Sequence, residues 1–360
     1  MSDTSVSADV VRTAAEAVGL AREPLLVLEP LEAFLDAHGL GDGPVTALPL
    51  GDGHSNVTYE LLRGPLRLVL RRPPRGPLPP SAHDMLREAR LLVALRRAGA
   101  HVPEILATCD DDAVIGAPFY VVPFIDGHVL TTALPDPLAS LDARAGIGPA
   151  LVEALVELHA IDVERAGLSA FSRATGYLER QLRRFGGLLD LNATRALPDL
   201  ETVGDWLAAS LPTTGATTVI HGDYRLGNVV LVGGGPPRVA AILDWELAAL
   251  GDPLADIGYL TAMWAEADDP PNPMLDLSGV TRRPGFSTRA ELVAHYAALT
   301  GRPADALVWY QVLGLWKSAI FLEGSYKRFL AGSTDDGYFE RLGAGVPTLA
   351  RLALDRARAA

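Results

Sequence analysis

Cysteine is almost absent: among 360 residues there is one, Cys109. A single thiol excludes an intrachain disulfide and any Cys-rich metal cluster, and Cys109 reads as a small buried thiol. The chain also lacks any run of ~18 apolar residues, so no spanning helix and no membrane partner are expected. Its first residues, MSDTSVSADV, have no basic segment leading into an apolar one, so no signal peptide is expected either. Positive charge is in deficit. The 31 Lys and Arg face 44 Asp and Glu, for a net charge of −13. No basic stripe stands out, which argues against a general nucleic-acid binder. The acidity reads first as a solvated surface, and it would also draw a cationic substrate. No internal repeat is visible. A soluble cytoplasmic protein is the resulting expectation.

What is present is an ordinary globular balance, 49% hydrophobic and 21% charged, punctuated by 35 Gly and 27 Pro. Domains of ~100–200 residues make two parts the starting expectation. Residues 1–44 read as helical pieces, Val10–Val18 and Pro30–His38, forming an extension packed on a core. From 45 the pattern changes to short strands, Val45–Leu50, Asn56–Leu62 and Leu66–Leu70, in an antiparallel meander. The stretch 73–80, PPRGPLPP, is a loop because Pro fixes φ and removes donors. Ser81–Ala98 has helical periodicity with Ser81 as candidate N-cap. Ile105–Thr108 and Phe119–Pro123 read as two further strands, with Asp110–Asp112 in the turn between them. After Asp126-Gly127 the chain turns mainly helical, with Leu151–Ile161 and Tyr177–Phe185 as clear candidates. The expected organisation is an N-terminal extension over 1–44, a β-rich part with one helix over 45–123, and a large helical part over 124–360. Ligand sites commonly lie at such a junction.

The most informative stretch is 219–260. It holds His221-x-Asp223-x4-Asn228 and then Asp244. Apolar runs Asn228–Val232 and Val239–Leu243 flank a Gly/Pro turn, a hairpin pattern that brings Asn228 near Asp244. An amide oxygen and a carboxylate side by side are hard ligands suited to Mg²⁺, which keeps phosphate and water in its other positions. Asp223, in the loop before them, is placed to orient a hydroxyl and accept its proton. His221 reads as a loop-holding residue rather than a base. Asp252 and Asp256 of Gly251-Asp252-Pro253-x2-Asp256 read as carboxylates that fix backbone N–H groups. A second pattern, Gly51-Asp52-Gly53-His54-Ser55-Asn56, lies between two strand candidates, where glycines let backbone N–H groups approach phosphates.

A loop Asp, an Asn five residues on and an Asp on the next hairpin resemble the kinase arrangement, and in this form, with Asp244-Trp245-Glu246, the aminoglycoside phosphotransferase and choline kinase family. Further segments resemble one branch of it, the kinase-like domain fused to some acyl-CoA dehydrogenases and its free-standing bacterial relatives. They are Gly53-His54-Ser55-Asn56, Val69 to Pro74, Leu78 to His83, Arg87-Glu88, Val114 to Val121, and Gly324-Ser325-Tyr326-Lys327-Arg328. The resemblance covers about residues 45–340. It implies an α+β, protein-kinase-like two-lobe fold with a small β-rich N-lobe carrying one helix and a large, mostly helical C-lobe. It implies a small-molecule kinase that uses ATP or GTP with Mg²⁺ and a small-molecule hydroxyl acceptor. Asp223, Asn228 and Asp244 would be catalytic, and Asn228 and Asp244 would bind the metal. Gly51, Gly53, Ser55, Asn56, Arg71, Glu88 and Phe124 would bind the nucleotide. Arg71 stands where kinases in general have a Lys paired to a helix Glu, and in this branch Arg is usual. Family acceptors include aminoglycosides, macrolides, choline, homoserine and hydroxyacyl-CoA species. The alternative class is a non-catalytic nucleotide- or ligand-binding pseudokinase module. A protein kinase fits less well, because no A-P-E motif follows Asp244. The C-terminal helices hold Trp264, Trp309, Tyr310, Trp316, Phe321 and Tyr326, mostly as core. Lys317, Lys327 and Arg328 are candidates for an anionic acceptor such as a CoA ester and read equally as snorkelling surface residues, so no site role is assigned to them.

Overall fold

A computed structural model of the chain describes residues 9–18, 20, 22–51, 56–76, 83–171, 176–213, 216–272, 274–303, 306–332 and 337–360. The chain divides into two compact units, Met1–Ile125 and Asp126–Ala360.

The first unit holds β1 (Val10–Val11), α1 (Ala14–Ala17), β2 (Leu26–Val27), α2 (Leu28–Ala37), β3 (Thr46–Pro49), β4 (Val57–Arg63), β5 (Leu66–Arg72), α3 (Met85–Arg97), β6 (Ala107–Cys109), α4 (Asp112–Ile115) and β7 (Phe119–Pro123). Five strands form one antiparallel sheet in the order β3-β4-β5-β7-β6. The two-residue alternation of a half-buried strand sends Tyr59 and Leu61 of β4, and Leu68 and Leu70 of β5, to one face. That face packs against Leu26, Leu31 and Leu35 from the N-terminal segment and against Phe119 and Val121. Each such side chain contributes on the order of 1.5–3 kcal/mol by leaving water. Residues 9–44 are thus part of this core. The helix expected over Val10–Val18 is not formed as such. Val10 and Val11 pair in parallel with Leu26 and Val27, and only Ala14–Ala17 are helical, capped by Thr13. Two β-branched residues bury themselves against a distant partner, a non-local gain that local pattern does not reveal. The helix expected from Ser81 begins at Met85 instead, with the Asp84 side chain accepting from the Arg87 N–H. Ser81 itself lies outside the described residues. The expected turn at Asp110–Asp112 leads into a one-turn helix, α4, capped by Asp111.

The second unit holds α5 (Leu141–His159), α6 (Tyr177–Asn192), α7 (Pro198–Ala209), β8 (Thr218–Ile220), β9 (Val229–Val232), β10 (Arg238–Ile242), β11 (Ala249–Gly251), α8 (Leu254–Ala262), α9 (Arg289–Thr300), α10 (Leu307–Leu330) and α11 (Gly337–Arg358). Its core gathers Phe185, Leu200, Leu207, Trp309, Leu313, Trp316, Ile320 and Leu349 from α6, α7, α10 and α11. Trp264, Trp309, Tyr310 and Trp316 are buried, whereas Phe321 is exposed. Helix α5 is longer than its apolar run, because Ser140 supplies an N-cap well upstream. The hairpin expected around the Gly/Pro turn is present as β9 and β10, with a register shift between Val239 and Ala241. Strands β8 and β11 form a second antiparallel pair. Between these two pairs run the Asp223 loop and the turn at Asp244. No helix among the described residues is long and apolar enough to cross a membrane.

Candidate active site

The Asp223 loop is held from below by one buried carboxylate. Asp256, in the first turn of α8, accepts the His221 N–H at 2.7 Å and the Gly222 N–H at 2.8 Å, and His159 Nε2 lies 3.2 Å away. Burial by itself would raise the Asp256 pKa, but His159 and the His221 and Gly222 amides hold it below its ordinary value. The loop needs glycine at 222. Its φ is +84°, and a Cβ would come within 2.7 Å of the Leu247 carbonyl oxygen. Asp252 accepts the Leu254 N–H and the Tyr310 hydroxyl, each at 2.9 Å, and so fixes the start of α8.

His221 joins the loop to the hairpin. Its Nε2 donates to the Leu243 carbonyl at 2.8 Å, and its Nδ1 accepts the Asp223 N–H at 3.2 Å. The ring is fully buried and stands edge-on to Trp245, with centroids 4.7 Å apart. Trp245 in turn donates to the Ile242 carbonyl. Asn228 closes the arrangement. Its Nδ2 donates to the Asp223 backbone oxygen at 2.9 Å and to Asp223 Oδ2 at 2.8 Å. The Leu243 N–H donates to the Asn228 carbonyl at 2.8 Å, extending the β9–β10 ladder by one bond and delivering Asp244 beside Asn228. Asp244 has φ +67°, a left-handed conformation that costs a non-glycine residue on the order of 1–3 kcal/mol and concentrates at functional sites.

Three side chains around Asp223 were not singled out by sequence spacing. Arg225 Nε lies 3.6 Å from Asp223 Oδ1. Burial alone would lower the Arg225 pKa, but Asp223, then Tyr259 and Asp244, outweigh it and hold the guanidinium above its ordinary value. Gly227 leaves room for that guanidinium, since a Cβ there would clash with Nη1. The Tyr259 hydroxyl on α8 bonds to Asp223 and receives a hydrogen bond from Ser318 at 3.3 Å, with burial first and Asp223 second pushing its pKa well up. Lys317 on α10 is only 7% exposed and has Asp223 as its leading favourable charge. One sequence signal marked it: Lys317 is the lone charge in the apolar run Val312–Ile320.

In the first unit, Arg71 of β5 and Glu88 of α3 come together, with Arg71 Nε 3.6 Å from Glu88 Oε1 and the carboxylate buried. The Tyr120 hydroxyl also donates to Glu88, at 3.1 Å. The neighbouring Arg72 points to the opposite face, where it donates to the carbonyls of Leu25 and Ile115. The alternation of the strand therefore sends the two guanidinium groups to opposite faces of the sheet. Gly51 has φ +78° with open space where a Cβ would stand. Asn56 is buried, and His83 Nδ1 lies 2.7 Å from its Oδ1. Gly53 and Ser55 lie outside the described residues. The Phe124 N–H donates to the Arg67 carbonyl, and its ring lies 3.6 Å under the Arg67 guanidinium. The Phe124 N–H is thus already engaged within the first unit.

Residues 46–292 match the family described as phosphotransferase enzyme family. The chain belongs to this family. Among curated relatives of this phosphotransferase is acyl-CoA dehydrogenase family member 10 of Mus musculus, 33% identical over 332 residues, which are 90% of this chain and 30% of the relative. The chain therefore spans less than a third of that relative's length. A crystal structure from Ralstonia eutropha, provisionally called an aminoglycoside phosphotransferase, is 29% identical with a TM-score of 0.75, covering 92% of this chain and 98% of that one. Choline kinase of Cryptosporidium parvum shares the fold at 13% identity, with a TM-score of 0.61 over 88% of this chain and 89% of its own. The expected α+β, kinase-like fold thus holds for the phosphotransferase: a five-stranded β-rich unit with one long helix in its middle, followed by a mostly helical unit.

No group of three or more His, Cys, Asp or Glu among the described residues could hold a metal by itself. The donors still fit Mg²⁺. Asn228 spends its amide nitrogen on Asp223, which leaves Oδ1 as the group it turns elsewhere, and the Asp244 carboxylate is carried on a backbone strained into place beside it. One amide oxygen and one carboxylate suit an ion that takes its remaining ligands from phosphate and water.

Proposed function

We propose that the chain is a small-molecule kinase that transfers the γ-phosphate of ATP or GTP, with Mg²⁺, to a hydroxyl of a non-protein acceptor. The observation that carries this is the Asn228 side chain. It orders the Asp223 carboxylate with its nitrogen while its backbone carbonyl anchors the strand that presents Asp244. Asn228 and Asp244 would hold Mg²⁺, which when bound supplies positive charge to the phosphate oxygens. Asp223 orients the acceptor hydroxyl and takes its proton as the oxygen attacks. Arg225 and Tyr259 hold that carboxylate in place. Arg71, braced by Glu88, offers a guanidinium suited to phosphate oxygens. The reaction then relies on positioning and electrostatic stabilisation.

The relatives' names support an acyl-CoA-type acceptor, and the Ralstonia eutropha structure's description supports an aminoglycoside. Thermal unfolding with ATP and GTP, each with and without Mg²⁺, tests the donor side. A ligand at a hundredfold excess over its Kd stabilises the native state by about 2.7 kcal/mol. The expected result is a Mg²⁺-dependent shift with one nucleotide, absent in Asp244→Ala. Asp223→Asn should keep that shift and lower kcat by orders of magnitude. Normal turnover by Asp223→Asn would overturn the assignment of the base.

A further inference from the structure

Lys317 is a charged residue in a place that burial disfavours. It lies in the middle of α10, within the stretch 307–320 that is buried almost throughout, and is itself 93% buried by the 7% that remains exposed. Its ammonium stands 5.1 Å from the centre of the Phe185 ring on α6. Among the described residues it has no hydrogen-bond or ion-pair partner, although Asp223 and Asp256 lie within its field and Arg184 opposes it. Asp256 is already engaged by His159 and the His221 and Gly222 amides, and Asp223 already faces Arg225, Asn228 and Tyr259. A largely buried ammonium without a hydrogen-bonded or close ion-pair partner is costly, and folds retain such a group where function needs it. The other two cations of this segment are accounted for. Lys327 Nζ donates to the Leu191 carbonyl at 2.6 Å, and Arg328 donates to Ser325 Oγ at 3.0 Å.

We infer that Lys317 is an acceptor-binding residue: its ammonium receives a carboxylate carried by the acceptor, so that the substrate is a hydroxycarboxylate and not a polycation. Two cationic groups, Lys317 and Arg225, share the field of one carboxylate, Asp223, which Arg225, Asn228 and Tyr259 already engage. An acceptor amine brought against Lys317 would meet like charge, whereas an acceptor carboxylate would give the ammonium the direct ion pair it lacks among the described residues while its hydroxyl reaches Asp223.

This inference rests on the phosphotransfer proposal for its hydroxyl chemistry, but its binding half can be read separately. The probes are hydroxypropanoate and hydroxybutanoate, with aminopropanol, aminobutanol and butanediol as matched cationic and neutral alcohols. Binding is followed by calorimetry in the presence of Mg²⁺ and a non-hydrolysable nucleotide, and transfer by phosphorylated product with the hydrolysable one. The hydroxycarboxylates should bind wild type, and Lys317→Met should weaken them about ten- to a hundredfold, the effect of losing one charge-assisted hydrogen bond. Lys317→Arg should restore most of that loss, and Lys327→Met should change nothing. Lys317→Met should raise KM for the hydroxycarboxylates far more than it lowers kcat. Absence of hydroxycarboxylate binding, equal binding by Lys317→Met, or a preference for amino alcohols would each overturn the inference. Lys317-dependent binding of a hydroxycarboxylate without transfer to any alcohol would leave the carboxylate site standing and remove the kinase reading. Transfer to amino alcohols alone would do the reverse.

Discussion

Replacing Lys317 by Met should make the protein more stable, against the usual expectation for a buried substitution. Burial pushes the Lys317 ammonium down from 10.5 to about 8, with Asp223 working in the other direction. At about 1.4 kcal/mol per tenfold, that displacement corresponds to roughly 3 kcal/mol opposing the folded state at neutral pH. Met keeps the straight chain and most of the volume and carries no charge to desolvate. The sign follows from proton counts. Between pH 8 and 10.5 the unfolded chain keeps the lysine proton and the folded chain releases it, so wild-type stability climbs with pH in that window. The groups that face the ammonium are Asp223 from the loop, Asp256 from α8, and Arg184 and Phe185 from α6. Tyr177, Tyr224, Tyr259 and Tyr310 are raised by burial, so the stability they contribute is lost as pH rises above 10. Measurements kept below about pH 9.5 avoid that opposing trend. Urea unfolding of both proteins at pH 7 and pH 9.5 is the assay. Lys317→Met should be more stable by about 1–3 kcal/mol at pH 7, and the gap should narrow at the higher pH. A variant less stable than wild type at pH 7, or two proteins with the same pH slope, would refute the reasoning.

Three further outcomes are expected. Asp256→Asn removes the carboxylate that holds His221, Gly222 and His159, so it should cost on the order of 3–5 kcal/mol in stability and lower kcat, checked by unfolding and kinetics. Because the Asp256 carboxyl is held below its ordinary value, the wild-type stability it contributes is present above that ordinary value and lost as pH falls through the lowered one. Acid unfolding of the variant should lack that step. Gly222→Ala should lower the melting temperature and kcat together, since a Cβ would meet the Leu247 carbonyl in a left-handed backbone costing roughly 1–2 kcal/mol on its own. Arg71→Ala leaves the Glu88 carboxylate buried with its Tyr120 bond, and should weaken Mg²⁺-nucleotide binding more than Arg71→Lys does, as calorimetry would show.

The hairpin and the His221 to Asp244 spacing were legible in the sequence because every residue they need is local and the turn chemistry is explicit. Strand β7 was legible at Phe119–Pro123 for the same reason. Val10–Val11 was not, because its partner Leu26–Val27 lies across an intervening turn and helical propensity in the Ala-rich stretch after it dominates the local pattern. The pairing of Arg71 with Glu88 depended on the strand's alternation, which decides between Arg71 and Arg72 only once register with Tyr120 is fixed. Tyr259 bonds to Asp223 from α8 and Lys317 lies in its field from α10, helices whose packing angle no spacing encodes. A lone lysine in an apolar run shows that something is unusual, but not which distant carboxylate it faces.

The left-handed backbone at Asp244 divides the substitutions open to that position. Glycine suits the conformation without strain, asparagine tolerates it better than most residues, and every branched side chain resists it. Glycine, however, offers no oxygen from its side chain, and asparagine offers only a neutral one. Ranked by folding, the tolerated residues therefore run from Gly through Asn to Asp. Ranked by turnover under the proposed metal-holding role, they run the opposite way. Inactivation at this position is then the downhill route for the fold. A lineage released from the need to transfer phosphate would lose Asp244 early and keep its structure intact.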